Sequence, residues 1–169
     1  SVATWVRVDR GETAGGLGGL VCYFQNHFDA ERGFLLGYET DRFVFGLAAE
    51  SVRTRGGMMT YLRSRNRFVP GCWYHLVATY DGQRMKLWVN GQQEGESTEQ
   101  TGPIRLPGGN VPLTIGRYRN GTDPHNGYNN NEDDVPFLGA IHEVAIYPRA
   151  LPEADVTAAY TAQRALSEV

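Results

Sequence analysis

The chain has 169 residues, with 16 lysines and arginines against 19 aspartates and glutamates, so its formal net charge is −3 at pH 7. This mild acidity gives no general attraction to nucleic acid or anionic membranes. No apolar run approaches the roughly 20 residues of a membrane-spanning helix. A chain of this length buries about 70% of its unfolded surface, enough for one two-layer core, so we predict a single domain over residues 1–169. The chain opens on a strand pattern without a signal peptide, and we expect any secretion signal to lie upstream.

Short apolar and aromatic runs separated by turn residues recur along the chain, which is typical of a β-sandwich. The predicted strands cover residues 2–8, 19–25, 33–38, 42–48, 58–68, 73–80, 84–90, 112–117 and 139–147. The fold class we predict is all-β, a two-sheet antiparallel jelly-roll sandwich with one short C-terminal helix. Residues 11–19 and 92–109 are predicted to be loops, because they are rich in glycine or in polar residues.

Three arginines alternate along the fifth predicted strand. If residues 58–68 form one strand, four side chains project from one face at steps of about 7 Å. These side chains are Tyr61, Arg63, Arg65 and Arg67. A guanidinium offers a planar fork suited to carboxylate or sulfate, so one interpretation is a groove for acidic polysaccharide. The other interpretation is a charged sheet edge that discourages aggregation.

The clearest turn signals lie in residues 73–91, where two amphipathic runs are joined by Asp81-Gly82 and closed by Asn90-Gly91. Both dipeptides tolerate the positive φ angles of a tight hairpin turn. Two runs of strand period between two such turns predict an antiparallel hairpin followed by a further turn.

Trp88 is predicted to contact a glycan, because it alternates with Arg84 and Lys86 on a strand face that ought to point away from the core. An indole exposed between charged residues stacks on the apolar face of a sugar ring. For Trp5 and Trp73, burial beneath loops or the helix is the alternative, since large rings are buried on average.

Residues 117–136, RYRNGTDPHNGYNNNEDDVP, show neither strand nor helix periodicity. So long a loop inside a compact domain is either functional or disordered. Its side chains supply the hard oxygen ligands that calcium takes, and the predicted calcium ligands are Asp123, Asn131, Asp133 and Asp134. The predicted glycan contacts of the same loop are Tyr118, Tyr128 and Asn129. A solvated, asparagine-rich turn is the alternative interpretation.

The predicted helix covers residues 152–166, with a proline in its first turn. Glu153 and Asp155 lie near the positive end of its dipole, where acidic side chains are stabilising. The side chains expected to pack on the sandwich are Val156, Ala159 and Tyr160.

Three blocks of the sequence carry a resemblance to a known family. The run WYHLVATYDGQRMKLWVNG resembles the W-H-H-V-A-x-T-Y-D-G...L-Y-V-N-G core of laminin G-like and pentraxin-like concanavalin A jelly rolls. The run FLGAIHEVAIYPRAL is similar to their closing F-x-G-x-I-D-E-V-R-I-Y-x-R-A-L signature, and SVATWVRV resembles their F-T-I-S-A-W-V-K strand. The resemblance implies a jelly roll that binds glycans, calcium or other proteins, and few such domains are catalysts.

The chain departs from the family pattern at two points. Many relatives carry an aspartate in the closing strand that helps to hold a structural calcium, and that position is His142 here. Since His142 shares a strand face with Val144 and Ile146, we expect a semi-buried histidine and not a metal ligand. The family's first strand or two do not precede Ser1, so we expect either a piece of a larger protein or a differently built sheet edge.

Cys22 and Cys72 are the only cysteines. A disulfide between them would close a loop of about 50 residues and stabilise the fold by about 4 kcal/mol. Two separate buried thiols acting as small hydrophobes are the alternative, and the sequence leaves both open.

Catalytic patterns known on this fold are missing. The E-x-D-x-x-E strand of retaining glucanases, which brings two carboxylates to about 5 Å, is absent, and so is the R-x-E-x-R strand of polysaccharide lyases. We therefore predict a non-catalytic, lectin-like carbohydrate-binding accessory module that is secreted or on the cell surface, with calcium as a cofactor. Its partners would be a polysaccharide or glycan, with a preference for acidic polysaccharide. A structural or adhesion domain that contacts other proteins or domains is the alternative.

Overall fold

Two five-stranded antiparallel sheets pack face to face in a computed structural model that describes residues 1–10, 17–25, 31–50, 58–108, 111–119 and 134–164. The strands are β1 (Val2–Val8), β2 (Leu17–Gln25), β3 (Arg32–Glu39), β4 (Arg42–Ala48), β5 (Thr60–Arg63), β6 (Trp73–Tyr80), β7 (Met85–Val89), β8 (Gln92–Ser97), β9 (Thr114–Ile115), β10 (Arg117–Arg119), β11 (Asp134–Pro136) and β12 (Gly139–Ile146). The helix α1 is Glu153–Arg164. The predicted jelly-roll sandwich is confirmed.

The first sheet has the order β12-β1-β6-β7-β8, and the second has the order β5-β4-β3-β2-β9. β1 pairs with β12 on one side and β6 on the other, so both ends of the chain meet in the first sheet. β10 and β11 form a separate two-stranded ribbon. All strand pairs in the described part of the chain are antiparallel, as expected of hairpins and long crossovers in a sandwich.

The main core lies between the two sheets. Its buried side chains include Val6, Leu36, Phe45, Leu76 and Leu87. β2, β3 and β4 are buried on both faces, because a second cluster covers the outer face of the second sheet. A third cluster, beneath α1, covers the outer face of the first sheet. The sandwich is thus covered on both outer sides over much of its area.

The predicted hairpin over residues 73–91 is confirmed as β6, β7 and the turn into β8. Asp81 Oδ1 accepts hydrogen bonds from the backbone N–H of Gln83 and of Arg84 at 2.8 and 2.7 Å. Asn90 and Gly91 have φ angles of 51° and 77°, the left-handed values that a tight turn requires. The loop predicted to begin at residue 92 is wrong at its start, because the chain pairs with β7 as the edge strand β8.

The predicted C-terminal helix is confirmed, and its described part ends at Arg164. Val156 is fully buried against the first sheet, and the Tyr160 ring stacks on Trp5 with 5.9 Å between centroids. Gln163 Oε1 accepts the indole N–H of Trp5. Trp5 is therefore buried by the helix, which is one of the two alternatives the sequence allowed. Within the described ranges, no helix is long and apolar enough to cross a membrane.

Three details of the predicted strands are wrong. The predicted strand over residues 112–117 is divided between β9 and β10, and β10 pairs with β11, so residues 117–136 begin and end in strands. The prediction that residues 58–68 form one strand fails because β5 ends at Arg63, where Ser64 turns the chain by donating its hydroxyl to the Asn66 carbonyl at 2.7 Å. His142 is exposed and not semi-buried. It lies at a bulge, since Trp5 pairs with Glu143 and Val6 pairs with Ile141, so His142 has no partner in the register.

The two cysteines do not pair. Cys22 is buried on the outer face of the second sheet, whereas Cys72 is exposed before β6. Burial raises the pKa of the Cys22 thiol to about 12, so Cys22 acts as a small hydrophobe.

Candidate functional site

The predicted arginine row does not lie on one strand face. Arg63 is the last residue of β5, and its guanidinium pairs with Glu39 at the end of β3. Arg67 lies beyond the turn and pairs with Asp41 at 2.5 Å. The Arg63 hydrogen bond holds the pKa of Glu39 below its ordinary value. Two of the three predicted cations are thus partly neutralised by acidic side chains of the β3–β4 turn.

The guanidinium groups of Arg65 and Arg42 stabilise the 64–67 turn by donating hydrogen bonds to backbone carbonyls. Arg65 donates to the carbonyls of Gln93 and Glu94 in β8, at 2.9 Å for Gln93. Arg42 donates to the Ser64 carbonyl at 2.7 Å and also to the carbonyl of Arg65. These contacts tie the 64–67 turn to both sheets, which gives the arginines a structural role that strand periodicity does not reveal.

Trp88 offers no exposed stacking face, which corrects the prediction for this residue. Its side chain is 2% exposed and packs with Val77, Leu151 and Val156 under α1. The indole N–H donates to Thr79 Oγ1 at 3.4 Å. Trp88 does share the outer face of β7 with Lys86, but α1 covers this part of the first sheet.

Tyr118 and Arg63 lie on the same outer face of the second sheet, where each interacts with Tyr61. The Tyr118 ring lies 5.1 Å from the Phe24 ring of β2, centroid to centroid. β10 approaches the sheet closely because Gly19 has no side chain: a Cβ there would lie 2.5 Å from the Tyr118 backbone nitrogen. Tyr61 of β5 packs on the same cluster. Arg63 follows two residues later on the same strand face.

Glu31 completes this surface. Its carboxylate accepts hydrogen bonds from the Tyr61 hydroxyl, at 3.3 Å, and from the Met59 backbone N–H. Burial, with added repulsion from Glu31, raises the pKa of Tyr61, so the phenol stays protonated as a donor. We call Glu31, Tyr61, Arg63 and Tyr118 the outer-face cluster. It combines two half-buried aromatic rings with one cation and one carboxylate.

Neither Glu31 nor Tyr61 was predicted as a ligand contact. Tyr61 stands out in the sequence only through its alternation with the three arginines. Glu31 lies in a segment that carries no motif, and its role depends on a contact with β5 across 30 residues of sequence. Strand alternation alone could have paired Tyr61 with Arg63, but not with Tyr118.

Most predicted ligands of the long loop lie outside the described residues. These are Asp123, Tyr128, Asn129, Asn131 and Asp133. Asp134 is the first residue of β11, where its backbone pairs with Arg119 of β10. Among the residues that the structure describes, no three His, Cys, Asp or Glu side chains are grouped so as to hold a metal ion. The calcium site stays a prediction.

Comparison with known proteins establishes the family. The profile of the concanavalin A-like lectin/glucanases superfamily of the Laminin_G_3 type matches residues 1–157. The chain belongs to this superfamily. Over 90 residues it is 36% identical to human pappalysin-1, an alignment that covers 48% of this chain and 5% of pappalysin-1. The chain thus spans about one twentieth of that relative.

Solved structures of similar fold include lectin-like and carbohydrate-binding domains. The CBM40 of the Ruminococcus gnavus IT-sialidase, solved with α2,3-sialyllactose, has a TM-score of 0.64 at 14% identity, with 94% of this chain and 80% of that chain covered. The heptameric SAP-like pentraxin of Limulus polyphemus has a TM-score of 0.61 at 16% identity, with 92% and 66% covered. At these identities the likeness shows the fold.

Proposed function

We propose that this domain is a non-catalytic carbohydrate-binding module whose glycan site is the outer-face cluster. The observation that carries the proposal is the meeting of Tyr61, Tyr118 and Arg63 on one sheet face, opposite the face that α1 covers. Tyrosine rings stack on the C–H face of a sugar, while a guanidinium and a carboxylate hydrogen-bond to its hydroxyls. The likeness to CBM40 supports this class of ligand, because that module was solved with a glycan.

A preference for acidic glycans is the finer part of the proposal. Arg63 is the cation of the cluster, and its side chain is 48% exposed although its guanidinium pairs with Glu39. A guanidinium keeps further donors after one such contact, so it can also bind a ligand carboxylate or sulfate. Sialyllactose, the ligand of the similar CBM40, is an acidic sugar. Contacts between the Arg63 guanidinium and a ligand carboxylate or sulfate weaken as salt screens the charges, since the Debye length is about 10 Å at 0.1 M salt.

A glycan array probed at two salt concentrations tests this proposal. We expect acidic glycans to be retained at low salt and neutral glycans to be retained less. Arg63→Ala should weaken binding to acidic glycans about tenfold, because it removes a charged hydrogen bond and leaves Glu39 to repel the ligand. The matched control is Arg84→Ala, which removes an exposed arginine that pairs with Glu96 on the first sheet. Equal losses in the two variants would contradict a directed site at Arg63.

Contact with another protein or domain is the second candidate function. The observation in its favour is a set of exposed apolar side chains at the two ends of β12, which is the edge strand of the first sheet in the described part of the chain. Leu138 lies before the strand, and Ile146 and Tyr147 lie at its other end. An unpaired sheet edge with apolar side chains invites pairing with a further chain. Ile146→Lys should then abolish binding to the partner domain of the parent protein and leave glycan retention unchanged.

We further propose that the module works outside the cell and that calcium binds within residues 117–136. The first expectation follows from glycans as ligands. The second follows from the carboxylates and amides of that loop, which match the oxygen ligands of calcium.

A further inference from the structure

A second concave site lies at one end of the sandwich, where the two sheets separate. Its walls come from the start of β4, the 66–68 turn, the start of β6 and the β7–β8 turn. The cavity has a volume of about 190 Å³. That is smaller than the roughly 300–1,000 Å³ of sites for drug-sized ligands, so it suits a single small ring. The outer-face cluster contributes no residue to it.

Aromatic rings form the apolar wall of this end pocket. Phe43 and Phe68 stack with 4.8 Å between centroids, and both are buried. Tyr74 meets Phe43 edge-on at 5.2 Å and is half-buried. The Tyr74 oxygen accepts the Val69 backbone N–H at 2.9 Å, which fixes the ring and leaves the phenolic hydrogen available to donate. The wall is thus held in place by contacts within the protein.

A buried carboxylate supplies the main polar contact of the pocket. Glu94 is 7% exposed. Its Oε2 accepts the Asn66 backbone N–H at 2.8 Å, and its Oε1 accepts the Asn66 side-chain amide at 2.6 Å. A carboxylate has about four acceptor positions, so two hydrogen bonds orient Glu94 and leave capacity for two ligand hydroxyls. Burying a charge is costly unless it is well hydrogen-bonded, and binding hydroxyls offsets that cost further.

Amide groups line the mouth of the pocket. Asn90 is held in place because its Oδ1 accepts the His75 backbone N–H at 2.9 Å, which leaves its amide N–H groups as donors. Gln92 is exposed at the rim. Arg67 also lines the pocket, but its charge is offset by Asp41 at 2.5 Å. The mouth offers donors without a strong positive charge.

We infer that this end pocket binds one neutral sugar residue, with Glu94 accepting two neighbouring hydroxyls and the sugar ring resting on the half-buried Tyr74. An acidic sugar is disfavoured, since its carboxylate would face the buried Glu94 carboxylate. The inference takes its ligand class from the proposed function but rests on different residues. The domain would therefore hold a glycan at two places, with different charge preferences.

The test is a titration of the isotope-labelled chain with methyl glycosides of glucose, galactose, mannose, xylose and arabinose, followed by NMR. At least one sugar should shift the side-chain amide signals of Asn66, Asn90 and Gln92 at millimolar concentration. Glu94→Gln should weaken that sugar about tenfold, because a charged acceptor is lost. Gln92→Trp should abolish binding by filling the mouth.

Two controls keep the outcomes distinct. Gln83→Trp places the same ring in the exposed β6–β7 turn and should leave sugar affinity unchanged. Arg63→Ala should also leave it unchanged, since Arg63 belongs to the outer-face cluster. If no glycoside shifts the amides, or if Gln92→Trp binds as the parent does, the end pocket is not a sugar site. Neither result would bear on the binding of acidic glycans to the outer-face cluster. In the same way, a glycan array without bound acidic glycans would not exclude binding of a neutral sugar in the end pocket.

Discussion

Acidification should destabilise the domain through a single buried histidine. His75 is 2% exposed, and its ring packs against the rings of Trp5, at 5.2 Å, and Tyr160, at 6.2 Å, which also contact each other. Its Nδ1 is buried without a hydrogen-bond partner. Burial lowers the pKa of His75 to about 4 from an ordinary value of 6.5, and attraction by Glu143 only partly opposes this.

The sign of the effect follows from proton linkage. The unfolded chain takes up a proton near pH 6.5, whereas folded His75 stays neutral until about pH 4. Protons therefore favour the unfolded state across this window, and stability falls as the pH is lowered. Between pH 7 and pH 4.5 the unfolding free energy should fall by about 2 kcal/mol. Each unit of difference between the folded and unfolded pKa of His75 corresponds to about 1.36 kcal/mol, and partial hydration of the ring reduces the total. Carboxylates such as Asp9, whose pKa is lowered by Arg7, add their own loss only at lower pH.

Urea unfolding at pH 7, 6, 5 and 4.5 measures this loss. The control variant is His75→Phe, which keeps a ring packed against Trp5 and Tyr160 but does not titrate. The difference in unfolding free energy between the parent and His75→Phe should change by about 2 kcal/mol from pH 7 to pH 4.5. His142→Gln removes an exposed histidine, and its unfolding free energy should follow that of the parent. A parent-minus-variant difference that stays constant from pH 7 to pH 4.5 would refute the reasoning.

Three further predictions test the packing and the long loop. Gly19→Ala should cost about 1–3 kcal/mol and loosen β10, because the added methyl group would strike the Tyr118 backbone; a denaturation midpoint equal to the parent's would contradict this close approach. In the native protein a thiol reagent should modify Cys72 and spare Cys22, and mass spectrometry showing equal labelling would contradict the burial of Cys22. Millimolar calcium should raise the melting temperature and Asp133→Asn should reduce that rise; no shift with calcium would remove the metal from this account.

The sequence predicted most of the sandwich because its strands carry their own turn signals. β1, β4 and β6 have the predicted bounds, since each is an apolar run between turn residues. β8 was missed because Gln92–Ser97 has no apolar alternation, and its place is fixed by backbone hydrogen bonds to β7 after the Asn90 turn. A polar edge strand carries little signal of its own, so only its neighbour reveals it.

The candidate site was less predictable, because it depends on which elements cover which sheet face. Periodicity places Trp88 on the outer face of the first sheet, but it does not show that α1 packs there. The same reasoning extended β5 to Arg67, although Ser64 ends the strand and the arginines find acidic partners in a distant turn. Long-range contacts of this kind have no local pattern.

Isothermal titration calorimetry tests the central proposal most directly. Sialyllactose and uronate-containing oligosaccharides are titrated into the parent chain and into the variants Tyr118→Ala and Tyr147→Ala. Tyr147 is 37% exposed next to β12 and serves as the matched control, and melting curves verify that each variant is folded. Removing the Tyr118 ring should weaken binding about tenfold, while Tyr147→Ala should bind as the parent does. If a folded Tyr118→Ala variant binds acidic oligosaccharides with the parent's affinity, the outer-face cluster is not the glycan site.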